Sequence, residues 1–167
     1  MTRLLGIVAL IGFACALFVH LLTFSEVEIE LQMPKVWFLH VGIFIVFLPF
    51  IISIRDNFGT NPTHKELLSI LPVWANLLVA LTFAYAFVNF ALFVLRSEGG
   101  SPDMRDGVYV LQSHGKFIRE LSLAEFKAQQ AYVVRGFSGH WLVFYLTPCL
   151  YFLFKGQSTR PTTENGA

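Results

Sequence analysis

Long apolar stretches alternate with shorter polar segments along the chain. Four stretches reach or approach the roughly 20 mostly apolar residues that a helix needs to cross a bilayer. They cover residues 4–24, 36–54, 71–95 and 137–154, and none of them contains Asp, Glu, Lys or Arg. The pattern predicts an all-α membrane protein, a single integral membrane domain over residues 1–167 that is built as a four-pass transmembrane helical bundle.

The first apolar stretch follows Arg3, as the core of a secretory signal peptide would. Its run is longer than the about 7–15 residues of a signal core, and no small-x-small cleavage site follows it. We therefore expect this stretch to remain as a span. Pro49 and Pro148 lie inside the second and fourth spans. Each removes a helix hydrogen bond there, so we expect a kink or an adjustment of packing.

The longest polar segment, residues 97–136, contains a pattern that is typical of a small soluble fold. "GVYVLQ" and "KFIREL" are rich in Val, Tyr, Phe and Ile, and "SHG" separates them. Gly115 tolerates a positive φ, so we expect a β-hairpin with a three-residue loop. Ser122 and Glu125 then form the capping box of a helix that starts near Leu123 and leads toward the fourth span.

A hairpin alone is only marginally stable in water, so a third strand is expected. The first connection offers one, because "SEVEIELQ" alternates between an acidic face and an apolar face, namely Glu26, Glu28 and Glu30 against Val27, Ile29 and Leu31. The first and third connections lie on the same side of any four-span protein. We therefore predict a small extramembrane β-sheet cap formed by residues 25–35 and 97–136. Residues 96–107 contain three glycines and a proline and are expected to be flexible.

The composition supports a membrane-embedded chain. Of the 167 residues, 55% are hydrophobic and 14% are charged, whereas soluble domains average about 45–50% apolar and about 25% charged residues. A net charge of +1 without a basic stripe argues against nucleic-acid binding. Cys15 and Cys149 lie in separate apolar runs and indicate neither a disulfide framework nor a zinc site. No P-loop, GxSxG or HExxH pattern occurs, which favours a non-enzymatic protein.

The basic residues near the span ends predict the orientation. With four spans, both termini lie on one side, together with five basic residues: Arg3, Arg55, Lys65, Lys155 and Arg160. Once the middle of the third connection is folded, only three basic residues flank spans on the other side: Lys35, Arg96 and Arg135. The rule that Lys and Arg concentrate on the inner side then places both termini in the cytoplasm. We expect an inner (plasma) membrane of bacterial type.

Three histidines form the most suggestive set of candidate ligands. His20 lies near the end of the first span, His40 near the start of the second, and His140 near the start of the fourth. Each is therefore expected at a similar depth, under the predicted cap and near the acidic residues of the first connection. Neutral imidazole is a common metal ligand. The set could bind zinc, copper or iron, or two of its members could ligate haem. The alternative is that each histidine only anchors its helix.

The uncharged polar residues within the spans include Asn76, Tyr85, Asn89 and Thr147. Tyr85 and Asn89 are one helical turn apart and share a face. Polar groups in hydrocarbon need partners, so we expect these two to hold helices together, although a substrate path is the alternative. The absence of charged residues within the spans argues against a proton-coupled transporter.

Two functions follow from these patterns. The favoured one is a small membrane protein whose extracytoplasmic cap binds a partner protein or a lipid, with no cofactor; the lipid bilayer, and a protein partner or a homo-oligomer, are its expected partners. The alternative is a metal- or haem-binding membrane redox protein that uses His20, His40 and His140. A transporter or channel is disfavoured but stays open.

Overall fold

The computed structural model describes residues 2–25 and 32–155 of the chain. The helices with both ends in these residues are α1 (Thr2–Leu22), α2 (Phe38–Phe58), α3 (His64–Ser69), α4 (Val73–Arg96) and α5 (Leu123–Phe154). Three strands lie between α4 and α5: β1 (Ser101–Arg105), β2 (Val108–Ser113) and β3 (Lys116–Glu120). Four of the helices, α1, α2, α4 and α5, are long and apolar enough to cross a membrane. The prediction of four helices of spanning length and apolar composition, together with a small sheet, is therefore confirmed.

Helix α5 is the centre of the helical part, and it contacts each of the other three long helices. It contributes more buried residues than any other helix, including Trp141, Leu142, Tyr145 and Cys149. Tyr145 donates a hydrogen bond from its hydroxyl to the Leu39 carbonyl at 2.7 Å, which ties α5 to the start of α2. The surrounding helices turn many large apolar side chains outward, as helices that face lipid do.

Contacts between helix ends define two ends of the molecule. We call the end where α1 begins and α5 finishes the terminal end. There, Gly6 of α1 lies against Leu153 of α5, and the Trp74 ring of α4 packs on Phe154. At the sheet end, the end of α1 meets the middle of α5, where Arg135 donates to Thr23. Helices α1 and α4 therefore run antiparallel to α5, as four successive crossings require.

The helix boundaries differ from the predicted ones mainly in α5. The predicted fourth span covered residues 137–154, whereas α5 runs without a break from Leu123 to Phe154. At about 1.5 Å per residue, this helix is about 48 Å long, against about 30 Å for the hydrocarbon core. Its first turns therefore extend beyond a bilayer. The predicted capping box is confirmed, since the Ser122 side chain accepts from the Glu125 amide and Glu125 binds back to the Ser122 amide.

The sheet is an antiparallel meander of order β1-β2-β3. The predicted hairpin is confirmed as β2 and β3, but its loop has two residues rather than three. His114 and Gly115 have φ of 49° and 83°, and two positive φ values are the requirement of a type I′ turn. The twist of that turn matches the strands, so Ser113 and Lys116 remain paired.

The origin of the third strand corrects the sequence interpretation. Strand β1 comes from residues 101–105, within the segment that we expected to be flexible, and that expectation is wrong for these residues. Asp106 and Gly107 have φ of 51° and 81° and make a second two-residue turn into β2. Pro102 is tolerated because β1 is an edge strand. The predicted strand of the first connection, with Val27, Ile29 and Leu31, lies outside the described residues.

Two sets of contacts fix the sheet to the helix ends. The Tyr109 ring packs on Phe126 of α5 at 4.6 Å between centroids. Arg119 of β3 pairs with Glu98, which follows α4, and with Glu125 of α5, both at 2.8 Å. The Arg119 guanidinium lowers the pKa of the Glu98 carboxyl below its usual value. The sheet is thus joined to both helices that lead into it.

Candidate functional site

The structure places the three predicted histidines at a similar height along α5, but each ring has a different partner. His20 binds Ser138 through Nδ1 at 2.7 Å. His40 accepts a hydrogen bond at Nδ1 from the Trp141 indole at 3.0 Å. His140 donates from Nδ1 to the Gly136 carbonyl at 2.9 Å. Residues 136–141 of α5 therefore mark the shared depth, as the sequence predicted, while the rings contact different neighbours.

The described residues do not gather these rings into a metal site. Across residues 2–25 and 32–155, no group of three or more His, Cys, Asp or Glu side chains could hold one metal ion. The acidic residues of the first connection, Glu26, Glu28 and Glu30, lie outside the described residues. The hypothesis of a metal or haem site at His20, His40 and His140 stays a prediction.

A hydrogen-bond network joins α1, α4 and α5 at the sheet end. The Tyr85 hydroxyl donates to Nε2 of His20. His20 donates from Nδ1 to the Ser138 hydroxyl, and Ser138 donates at 3.2 Å to the Arg135 carbonyl. Every donor in this network meets an acceptor only when His20 is the neutral Nδ1–H tautomer. His20 is 2% exposed, so the network is the means by which its two ring nitrogens are satisfied.

Asn89 holds α4 close to α5. Its amide donates to the Arg135 carbonyl at 2.8 Å and the side chain is buried. Gly139 faces this amide, and a Cβ at that position would collide with Asn89. The expectation that Tyr85 and Asn89 hold helices together is confirmed by their partners on α1 and α5. Each such bond in a membrane is worth about 0.6–2 kcal/mol.

Arg135 is the charged residue of the candidate site whose environment the sequence interpretation missed. It lies next to the fourth span and within the helix that starts near Leu123, as predicted, but it is half-buried against the end of α1. Its guanidinium donates to the hydroxyl of Thr23 at 3.0 Å and to the Thr23 carbonyl, and it covers the Phe24 ring at 4.0 Å. The one available signal was its place within the helical pattern that begins at Leu123.

Arg135 and Arg96 converge on one ring. The guanidinium carbons lie 5.2 Å (Arg96) and 5.3 Å (Arg135) from the centroid of the Tyr132 ring. Both are within the distance at which a cation is attracted to an aromatic face. Gln129 of α5 also holds the end of α4 beside Tyr132, because its amide donates to the Arg96 carbonyl at 3.0 Å.

These residues surround a cavity of about 280 Å³ at the sheet end, between α1, α4 and α5. We call it the arginine cavity. Its polar lining comes from Arg96, Arg135, Tyr85 and Asn89, and its walls are the apolar and aromatic side chains of Phe24, Val88, Leu92, Phe93 and Tyr132. The lining thus combines two cations with a surface suited to hydrocarbon.

No carboxylate among residues 2–25 and 32–155 pairs with either arginine of the cavity. The ion pairs in that part of the chain join Arg105 to Asp103, and Arg119 to Glu98 and Glu125. Arg119 therefore already engages Glu98, the acidic residue nearest to Arg96 in sequence. Two guanidinium groups beside apolar walls and without a described counter-charge favour an anionic ligand.

Comparison with known proteins gave no match: no family model, curated protein or solved structure is significantly similar to this chain. The candidate site therefore depends on its own geometry. The arginine cavity is the place where the described residues combine charge, depth and room for a ligand.

Proposed function

We propose that this chain is a four-pass integral membrane protein that binds an anionic lipid head group in the arginine cavity. The observation that carries the proposal is the convergence of Arg96 and Arg135 over the Tyr132 ring, 5.2 Å and 5.3 Å from its centroid. Guanidinium groups bind phosphate through parallel, charge-assisted hydrogen bonds. The role is one of binding rather than catalysis, and it requires no cofactor.

The walls of the cavity favour a lipid over a free anion. Val88 and Leu92 lie one turn apart on α4 and continue from the arginine pair toward the membrane interior. A phosphate held by the two guanidiniums would leave its acyl chains along these side chains. The volume, about 280 Å³, is close to the lower limit of about 300 Å³ for ligand pockets and suits a head group.

The same proposal includes the placement of the chain in the membrane. We place both termini on the cytoplasmic side of a bacterial inner membrane, and the sheet on the extracytoplasmic side as a cap. The bias of basic residues supports this orientation. Lys155 donates to Ser53 at 2.7 Å, so this basic residue and Arg55 lie at the same end of the molecule.

One observation favours a second candidate, a protein partner or a second copy bound by the sheet. Four large apolar side chains of the sheet are exposed to solvent: Met104, Val108, Phe117 and Ile118. Exposed apolar groups beside polar ones are typical of interaction surfaces. Capture of a partner that is lost in a Phe117→Ser variant, with lipid binding intact, would support this candidate.

Lipid binding can be tested by native mass spectrometry of the protein from nanodiscs. The probes are phosphatidylglycerol, phosphatidylcholine and inorganic phosphate. We expect retention of phosphatidylglycerol, and about tenfold less of it in the variant Arg96→Gln, since a hydrogen bond to a charged group is worth about 1.5 kcal/mol or more. The matched control is Arg55→Gln, which removes an exposed arginine at the terminal end.

Three results would contradict the proposal. The first is equal retention of phosphatidylcholine and phosphatidylglycerol. The second is retention of inorganic phosphate as strong as that of the lipid, which would indicate a free-anion site. The third is a gain of lipid binding only after Glu26, Glu28 and Glu30 are replaced by Gln, which would mean that the chain's own carboxylates neutralise the arginines.

A further inference from the structure

A second cavity lies on the opposite side of α4, between α2, α4 and α5. It has a volume of about 290 Å³, and five phenylalanines form its walls: Phe47, Phe50, Phe83, Phe87 and Phe144. We call it the aromatic cleft. It is separate from the arginine cavity and shares no lining residue with it.

One pair of rings in the cleft is already arranged edge to face, and a third ring is tilted against it. Phe47 meets Phe144 at 4.9 Å between centroids with an interplanar angle of 82°, and Phe47 meets Phe50 at 5.4 Å. Edge-to-face contact is the preferred geometry of aromatic pairs. Another flat ring that enters the cleft would meet ring faces and ring edges on several sides.

One end of the cleft carries a hydrogen-bond acceptor. His140 donates from Nδ1 to the Gly136 carbonyl at 2.9 Å, so the neutral ring presents a lone pair at Nε2. Phe90 packs on this ring at 4.9 Å and fixes its orientation. Among the described residues, 2–25 and 32–155, no donor is paired with Nε2, and a polar atom in this environment gains from a donor.

The other end is polar as well. Thr147 lines the cleft seven residues further along α5. Two helical turns separate it from His140, about 10 Å along the axis. Pro148 has no amide hydrogen, so the Phe144 carbonyl loses its usual helix donor beside this hydroxyl. The cleft thus offers an acceptor at one end, a hydroxyl at the other, and aromatic walls between them.

We propose that the aromatic cleft binds a lipid-soluble molecule with a hydroxylated aromatic ring, of the phenol or quinol class, whose O–H donates to Nε2 of His140. An acyl chain would fill the same volume but would leave Nε2 unpaired. A second copy of the chain would cover the cleft with apolar side chains and would also leave Nε2 unpaired. A hydroxylated ring satisfies both the acceptor and the aromatic walls, and this proposal does not depend on the lipid at the arginine cavity.

The test uses two photoreactive probes that differ in one hydrogen-bond donor. One is a 4-alkylphenol with a diazirine in its chain, and the other is its O-methyl ether. Both are added to the full chain in nanodiscs, and the labelled peptides are mapped by mass spectrometry. We expect the phenol to label residues 143–147 about fivefold more than the ether does, the ratio that one net hydrogen bond gives.

Variants decide whether His140 carries the preference. His140→Phe keeps a ring but removes the acceptor. We expect it to lower labelling by the phenol to the level of the ether and to leave labelling by the ether unchanged. His140→Asn restores an acceptor and should recover part of the preference. His64→Phe, at the terminal end, is the matched control, and thermal unfolding of each variant verifies that it folds.

Three outcomes would overturn the proposal. Equal labelling by phenol and ether would mean that the cleft takes any apolar chain. A preference for the phenol that survives in His140→Phe would place the donor elsewhere. Labelling that disappears as the chain self-associates would identify a second copy as the occupant.

Discussion

The guanidinium of Arg135 binds Thr23 twice, through its hydroxyl at 3.0 Å and through its carbonyl. Thr23 directly follows α1, so Arg135 supplies donors to carbonyls that the end of a helix leaves unpaired. A cation at this position also complements the negative end of the helix dipole. The same side chain therefore holds α1 on α5 and forms one wall of the arginine cavity.

Loss of this contact should destabilise the helical part. In Arg135→Leu, the Thr23 carbonyl loses its charged donor, and we expect the free energy of unfolding to fall by about 1.5–3 kcal/mol. The decrease can be measured as a lower midpoint of thermal unfolding in detergent. Arg105→Leu is the control, since Arg105 is exposed and its contacts with Asp103 and Gly115 stay within the sheet and its turns. Equal midpoints for the two variants would show that Arg135 does not hold α1.

The close approach of α4 and α5 at Gly139 should tolerate no larger residue. A side chain there collides with the amide of Asn89, so in Gly139→Val the bond from Asn89 to the Arg135 carbonyl has to break. We expect a loss of about 1–3 kcal/mol in the free energy of unfolding, as overpacking gives. The measurement is unfolding by a denaturing detergent.

Ala80→Val serves as the control for that variant, because Ala80 is exposed on α4. It adds two of the three carbons that Gly139→Val adds, at an exposed position of α4. If both variants unfold at the same detergent fraction, α4 does not pack on α5 as described.

The turn at Asp106–Gly107 should decide whether β1 forms. Gly107 has a φ of 81°, and a β-branched residue is strained in that region. In Gly107→Val we expect the sheet to lose at least about 1 kcal/mol and β1 to become sensitive to protease. Limited proteolysis within residues 100–107 measures the effect, with Ser101→Ala as the control. Unchanged resistance of that segment would mean that β1 is held without the turn.

This turn also shows what the sequence could and could not predict. The four long helices follow from hydropathy, because any run of about 20 apolar residues must satisfy its backbone within a helix. The β2–β3 hairpin and the Ser122 capping box are local patterns, and both predictions are confirmed apart from the length of the hairpin loop. Strand β1 was missed because glycines and a proline around it indicate flexibility, although Asp-Gly is itself a strong hairpin signal.

The site required information that no local pattern contains. The common depth of His20, His40 and His140 follows from counting residues along each span. The partner of each histidine depends on how the helices rotate and pack against one another. The approach of Arg96 to Arg135 depends on the same packing. Residues 96 and 135 are separated by the entire sheet, and only the fold places both on Tyr132.

The attachment of the sheet should weaken in acid. Pairing with Arg119 lowers the pKa of Glu98 from its usual 4.5. The ionised form is therefore favoured in the folded state, and its stabilisation is fully present above pH 4.5 and lost as the pH falls through the lower, folded value. We expect amide hydrogens of β3 to exchange faster at pH 3 than at pH 7, after correction for intrinsic rates. In Glu98→Gln this difference should shrink, and an unchanged difference would assign the pH effect to another group.

The central claim is that the chain crosses the membrane four times and carries its sheet on the side opposite to both termini. Single cysteines at Gln112 of β2 and at Thr60, between α2 and α3, test it most directly in a Cys15→Ala, Cys149→Ala background. In intact cells we predict that an impermeant maleimide labels the cysteine at 112, and that the cysteine at 60 is labelled only after lysis. Labelling of both positions from the same side of the membrane would contradict the account.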